Sequence, residues 1–441
     1  TQAVYHQERN WLPALTEGRL DFGSDTRSLA AVLQKRGSRN LLQTLLRLAR
    51  SKDIDPAARQ GIFNTIASIG GSNELRAIFE TEFHPNPPSH TAALIALRNA
   101  ANSRGVRPGG ELKGPLRAAF KGNSAELRIA ALKLAGEWNT GDLSAEVRAM
   151  ARNAKELPIR IAAVRTMGQL GREDDGLLAD LLKDAKGPMA LKLAALDTLS
   201  RINLKDATSY GVQFLATGQN PAEMLAPFLA REGGPKALAE ALGKNTLKTD
   251  IAAKTLAALQ AAGSSDEALT QVLSKAAGIK VTGPVYSETF VRDLARESAK
   301  GDIGRGRQVF QLTGCAACHQ VEATKNDVPF IGPDLTALGN TLRPERIIEE
   351  VLWPGRAVKE GYSLLRVTTR DGTVHQGYEE RSRSEDVFLR PLGRADTIRI
   401  PKNQTRDKTQ AGSAMPMGLT AALNREELRD LIAFLTGLGR D

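Results

Sequence analysis

From residue 28 to about residue 278 the apolar positions recur at three- and four-residue intervals, in short blocks broken by Gly, Asn and Ser-Asp pairs. That spacing lays one apolar stripe along each of a series of short α-helices. The blocks also repeat. Leu127-Arg128-Ile129-Ala130-Ala131-Leu132, Ile159-Arg160-Ile161-Ala162-Ala163-Val164 and Leu191-Lys192-Leu193-Ala194-Ala195-Leu196 begin at positions 127, 159 and 191, a period of 32 residues. A fixed period of this length means stacked helical pairs. Weaker copies at 59–70, 92–94 and 251–254 extend the array to roughly seven pairs. Small Ala residues would let the helices cross closely while Leu, Ile and Val fill the shared core.

The flanking pattern differs. Residues 1–27 carry Trp11 and Pro13 without a period and read as a lead-in, and Gly and Pro around 278–286 break the array, so a linker and connecting helix are expected over 279–300. From 301 onward helices return, one around Gly306 and Phe310 and another over 341–352, ended by Trp353-Pro354-Gly355. Between 362 and 405 the period changes to two. Segments 364–369, 373–378, 387–390 and 397–400, with Asp371-Gly372 as a hairpin signal, predict three or four short antiparallel strands. Asn424 caps a last helix over 425–438, whose Leu428, Leu431, Ile432 and Leu435 face inward and cross the Gly306 helix.

At 441 residues the chain exceeds one core, and the 41% apolar content supports packed interiors. Aromatics are only 5%, which favours helices over a sandwich or barrel. No apolar run approaches the length of a membrane span, so none is expected. The net charge of +10 lies mostly in the first 299 residues, but the basic residues alternate with acidic ones and aromatics are not interleaved with them. A solvated helical face is expected there, not a nucleic-acid surface.

The candidate chemistry is concentrated at Gly314-Cys315-Ala316-Ala317-Cys318-His319. Cys-x-x-Cys-His is the attachment signature of haem c: Cys315 and Cys318 would form thioethers to the two vinyl groups, and His319 would ligate the iron. A zinc site needs four N or S ligands, and the chain holds only two Cys and five His. A redox dithiol should follow a strand, whereas Gly306-Arg307-Gln308-Val309-Phe310 reads as helix. Phe310 is expected over one edge of the porphyrin. The second axial ligand is sought in Ser413-Ala414-Met415-Pro416-Met417-Gly418-Leu419. Met415 is preferred because Pro416 stiffens the backbone after it, leaving Met417 to pack as core. His375 is the rival in this part of the chain, and Trp353 is expected either at the haem edge or in a core. His6, His84 and His90 have no second ligand at i+3 or i+4 and are expected at surfaces or caps, with 83–88 a stiff loop; Met150, Met167, Met189 and Met224 read as core filler.

Two resemblances follow. Residues 30–278 resemble HEAT-like repeats. Helix, attachment motif and loop follow in the order of class I cytochromes c, where a carbonyl matching that of Pro333 accepts the proximal His Nδ1 proton; Leu335 would lie against the macrocycle. Moreover, Cys315-x-x-Cys318-His319, Gly332-Pro333-Asp334-Leu335-Thr336, Val351-Leu352-x-Pro354, Gly361-Tyr362, Asp371-Gly372, Met415-Pro416-x-Gly418-Leu419 and Asp430-Leu431-Ile432-Ala433-Phe434-Leu435 occur in this order. Together, residues 301–441 resemble the haem-binding domain of the Planctomycetes and Verrucomicrobia type, in which the distal Met lies in the Met-Pro-x-Gly-Leu loop. Members often carry HEAT-like repeats and, before them, a dehydrogenase-like β-propeller; no propeller is expected within these 441 residues.

The expectation is therefore a mainly α protein: a HEAT-like α-solenoid over 28–278, then a class I cytochrome c domain over 301–441 with a small antiparallel β insertion at 362–405. It would hold one covalent haem c with iron between His319 and Met415. Haem c implies export to the periplasm, and Thr1-Gln2-Ala3 without a leader fits a processed product. The expected role is electron transfer, with the solenoid docking the haem domain to a fused or partner dehydrogenase, and with a terminal electron acceptor beyond. The alternatives are a binding scaffold with a sensory haem, or a peroxidase-like enzyme, for which no distal acid–base pair is visible.

Overall fold

The computed structural model describes residues 13–14, 42–49, 56–82, 90–171, 175–264, 266–279, 284–322, 331–380, 385–394 and 396–440. The protein is mainly helical with one small antiparallel sheet. His6, His84, the 83–88 loop and nearly all of the lead-in expected over 1–27 lie outside the described residues. The chain divides into two compact units, Thr1–Ile202 and Asn203–Asp441, a boundary inside the array expected over 28–278.

In the first unit the three strongest sequence copies form the helices Ala125–Glu137, Leu157–Leu170 and Met189–Ile202, which pack in sequence. Their shared faces bury Ala131, Leu132, Ala135, Ile159, Ala163, Val164, Leu191, Ala195 and Leu196. The period is also written in hydrogen bonds: buried Thr166 Oγ1 donates to the Leu132 carbonyl at 3.0 Å, and Thr198 Oγ1, 32 positions on, donates to the Val164 carbonyl at 3.1 Å. Thr166 Oγ1 also lies 2.9 Å from the Ala162 carbonyl of its own helix, so its hydroxyl is shared between two carbonyls, and neither buried hydroxyl is left unpaired. Of the four methionines expected as core, Met167 and Met224 are buried, while Met150 and Met189 are only half-buried.

The second unit begins with helices Leu204–Leu215, Pro221–Leu229, Gly234–Gly243, Thr249–Ala261 and Glu267–Ala277. The helices Glu288–Ser298, Ile303–Leu312, Pro344–Leu352 and Arg425–Gly437 then enclose a core of Val291, Leu294, Phe310, Ile347, Ile348, Leu352, Leu431, Ile432, Phe434 and Leu435. The helix expected over 341–352 is broken. Leu338–Thr341 forms one turn, and Leu342 and Arg343 are extended before Pro344. The pyrrolidine ring excludes the residue before it from the helical region, and Pro344 itself is suited to the first helical turn. Asn424 caps the last helix through a reciprocal capping box with Glu427, both bonds 2.9 Å.

The close approach that orders this core is the crossing of Ile303–Leu312 with Arg425–Gly437. A Cβ at Gly306 would lie well inside contact distance of the Asp430 carbonyl oxygen, so only glycine allows the two backbones to meet there. Asp430, only 2% exposed, accepts the Asp302 amide at 2.9 Å and pairs with Arg305 at 3.1 Å and Arg429 at 2.9 Å. Burial raises its carboxyl pKa, but the Asp302 amide and the two guanidinium groups outweigh burial and hold it below the usual carboxylate range.

The sheet has the order β4-β3-β2-β1-β5, with β1 Ser363–Thr369, β2 Val374–Glu379, β3 Val387–Arg390, β4 Ile398–Ile400 and β5 Thr405–Ser413. The fifth strand exceeds the expected three or four. Its polar sequence carries no alternation because it is an exposed edge strand, held by its backbone pairing to β1. The β1–β2 hairpin turns at Asp371-Gly372, with Gly372 at φ 76°. Residues of the turns after Pro221–Leu229 and Thr249–Ala261 bond to this hairpin: Val374 N donates to the Ala230 carbonyl at 2.9 Å, Glu232 N to Gly372 O at 3.1 Å, and Gln376 Nε2 to Gly263 O at 2.8 Å. These bonds gather the last array helices and the sheet into one unit.

Replacing Gly306 by Ala is expected to destabilise the second unit by about 1–3 kcal/mol through overpacking, read by chemical denaturation. Because the folded pKa of Asp430 is depressed, its contribution is complete above the ordinary carboxylate range and is lost as pH falls through the depressed value. Asp430→Asn should therefore lower stability at neutral pH and lose less of it on acidification than the parent, measured as denaturation midpoints across that range.

Candidate functional site

The Ile303–Leu312 helix ends at Thr313, and Gly314 at φ 79° reverses the chain into a 3-10 turn, Cys315–Ala317. A left-handed residue is needed at this reversal, which is why glycine stands there. The turn continues through His319, whose amide donates to the Cys315 carbonyl at 3.0 Å. Cys315, Cys318 and His319 thereby border one cleft, with about 1150 Å³ of space including its mouth.

Phe310, Pro333, Leu335 and Met415 line the same cleft, so all seven residues singled out from the sequence are brought together. Phe310 packs against Phe434 with ring centroids 5.5 Å apart, tying one wall to the helical core. Met415 reaches the site because β5 ends at Ser413, whose Oγ accepts the Met415 amide at 3.1 Å. Met417 is not in the cleft. It is 66% exposed, correcting the expectation that it packs as core: its neighbours Pro416 and Leu419 line the cleft, while the turn at Gly418, φ 80°, leaves the Met417 side chain in solvent. His375 lies on β2 opposite Val367 and does not border the cleft. Trp353 also lies outside it, donating Nε1–H to the Pro284 carbonyl at 2.8 Å and meeting Tyr286 edge-on at 5.0 Å.

The His319 ring is closely constrained. Its Nδ1 lies 2.9 Å from the Pro333 carbonyl oxygen, the only role open to that nitrogen there being donor. The proton is therefore on Nδ1 and the lone pair on Nε2. Gly332 gives the ring its room, since a Cβ at that position would sit 2.7 Å from Nδ1 and closer still to Cε1. Burial pushes the imidazole pKa down, with the Pro333 bond opposing, so a neutral ring is favoured. Burial also raises both thiols, only partly offset at Cys315 by Thr313, whose hydroxyl is 3.3 Å from Sγ. Two protonated, desolvated thiols are poor nucleophiles for dithiol exchange.

Two tyrosines of the site carried no role in the sequence reading. Tyr362, present only as part of Gly361-Tyr362, meets Tyr378 edge-on at 5.5 Å, and both line the cleft. Tyr378 donates its hydroxyl to the Ile331 carbonyl at 2.7 Å, and burial, eased by Arg390, pushes its pKa up to about 12. The 373–378 strand was legible, but neither the burial of Tyr378 nor its partner 47 residues away had a local mark. No family model matches the chain, and no curated protein matches it.

Gly332→Ala should displace the His319 ring and break its bond to Pro333. The expected signature is loss of the single Nδ1–H tautomer in the nitrogen chemical shifts of His319, with secondary structure retained by circular dichroism.

Proposed function

We propose that this cleft holds one haem c and that the protein is an electron-transfer cytochrome. The observation that carries the reading is the restrained imidazole: His319, donating Nδ1–H to Pro333 and seated on Gly332, keeps its Nε2 lone pair for a metal in a cleft that also contains two thiols one turn apart and a thioether. The donor set fits this group. One imidazole and one thioether suit haem iron, whereas among the described residues no three His, Cys, Asp or Glu gather as a separate metal cluster would require.

In this reading Cys315 and Cys318 are the thioether anchors, His319 and Met415 the axial ligands, and Phe310 and Leu335 apolar walls. When bound, the haem iron supplies a one-electron change between ferric and ferrous. The chain's own residues set the conditions for that change. The Pro333 carbonyl fixes the imidazole and raises its donor strength. A soft sulfur at Met415 and an apolar surround favour the less charged ferrous state, raising the potential. Were His319 and Met415 both to hold the iron, no coordination position would remain for substrate, which favours a carrier over a peroxidase.

The helical repeats are read as a HEAT-like solenoid, and the unit around the cleft as a class I cytochrome c domain with an inserted sheet. We assign the solenoid the task of docking the haem domain to a dehydrogenase, fused or separate, with electrons leaving to a terminal acceptor. No described helix is long and apolar enough to cross a membrane. The chemistry of haem c attachment implies a periplasmic site of action.

Protein matured in cells equipped to attach haem should show a ferric charge-transfer band of Met–iron ligation. Met415→Ala should lose the band and Met417→Ala keep it; the opposite outcome would give the ligand to Met417, and colourless protein would reject the haem reading.

A further inference from the structure

The peptide group joining Ile331 to Gly332 is held at both ends. Its N–H, on Gly332, donates to the Cys318 carbonyl at 2.8 Å, and its carbonyl, on Ile331, accepts the Tyr378 hydroxyl at 2.7 Å. One restraint comes from the Cys-x-x-Cys-His turn and the other from β2 of the sheet. The plane so fixed lies directly before Gly332 and Pro333, which seat the His319 ring and accept its Nδ1 proton. We propose that Tyr378 is a positioning residue for His319: by holding the Ile331–Gly332 peptide from the sheet side, it sets the direction of the Pro333 carbonyl and thus the strength of the bond to Nδ1.

Several features fit a hydroxyl kept for this purpose. Tyr378 is among the most buried residues of the sheet, and a buried phenol that lost its acceptor would bear the desolvation of its O–H unpaid by any bond. Its ring is fixed independently of the hydroxyl, by the edge contact with Tyr362 at 5.5 Å, the Arg390 guanidinium 5.2 Å from its centroid, and pairing opposite Leu364 on β1. The hydroxyl is therefore presented to Ile331 by a rigid strand, not by a loop. The sheet also leads into the segment bearing Met415, so one small element braces the loop that seats His319 and the backbone that delivers Met415.

The consequence for iron rests on the haem reading, whereas the consequence for the peptide does not, and the two are measured separately. Tyr378→Phe removes the hydroxyl and keeps the ring. In the full chain, with or without haem, the Gly332 amide should exchange with solvent roughly fivefold faster, the effect of losing one ordinary hydrogen bond. In the haem-loaded protein the reduction potential should rise, because a loosened Nδ1–H···O bond makes the imidazole a weaker donor and disfavours ferric iron. The control Tyr210→Phe removes a hydroxyl on the Leu204–Leu215 helix, outside the cleft, and should change neither.

Unchanged Gly332 exchange in Tyr378→Phe overturns the proposal whatever the state of the haem. Faster exchange with an unchanged potential, in protein that binds haem through His319, overturns the positioning role. Should Tyr378→Phe not fold, the parent still decides: the Tyr378 hydroxyl proton should be protected from solvent and show a nuclear Overhauser effect to the Ile331–Gly332 segment, and a freely exchanging hydroxyl would reject the proposal.

Discussion

A close backbone approach, the crossing of Ile303–Leu312 with Arg425–Gly437 at Gly306, sets the geometry of the site. The missing Cβ at Gly306 lets the two helices touch, and the buried Asp430 carboxylate is compensated where they meet by the Asp302 amide and two arginines. A buried charge of this kind is tolerated only when its lone pairs are filled, so it favours one register of the crossing. With the register set, the end of the first helix, and hence Cys315, Cys318 and His319, emerges at a defined place beside the core. Gly339 repeats the device near the end of the last helix, where an added Cβ would lie well inside contact distance of the Thr436 carbonyl oxygen.

The sheet supplies what the helices cannot. A helical core offers Phe310, Leu431 and Leu435 to the cleft, but these are apolar walls with no means of orienting an imidazole. Orientation comes from the irregular stretch Ile331–Pro333, and irregular backbone holds its shape only where its peptide groups are bonded. Cys318 bonds it from one side and Tyr378 from the other. The five strands are thus more than an addition to a helical core. They brace the loop behind His319 and carry the chain into Met415, while bonds from Ala230, Glu232 and Gly263 tie the hairpin to the helices that precede it.

The repeating helices show a different economy. Threonine hydroxyls at 166 and 198 reach the carbonyls at 132 and 164, so polar groups in a buried interface are satisfied between neighbours at the same step as the apolar repeat. Cross-helix pairs such as Arg98–Glu137 and Arg128–Glu156 lie at partly exposed edges, where screening leaves them small effects on stability. Close-packed alanines and shared threonine bonds define the stacking.

What the sequence determined by itself is whatever depends on neighbours in the chain. The 32-residue recurrence, the Asn424 cap, the Asp371-Gly372 hairpin and the grouping of Cys315, Cys318 and His319 were all legible because a few adjacent residues dictate turn, cap and helical face. Pro344 belonged to this class too, since its restriction on the preceding residue is local, yet the apolar run around it concealed the break. Only the tertiary structure decided the rest. The strand Thr405–Ser413 has no alternation of its own and exists through pairing with β1; Met417 is exposed though apolar; Trp353 goes to Pro284 and Tyr286; and the phenol of Tyr378 finds its acceptor at Ile331. The physical reason is common to all four. An edge pairing, a buried acceptor or an exposed side chain is a property of surfaces brought together by folding, and residues far apart in sequence leave no periodic trace of meeting.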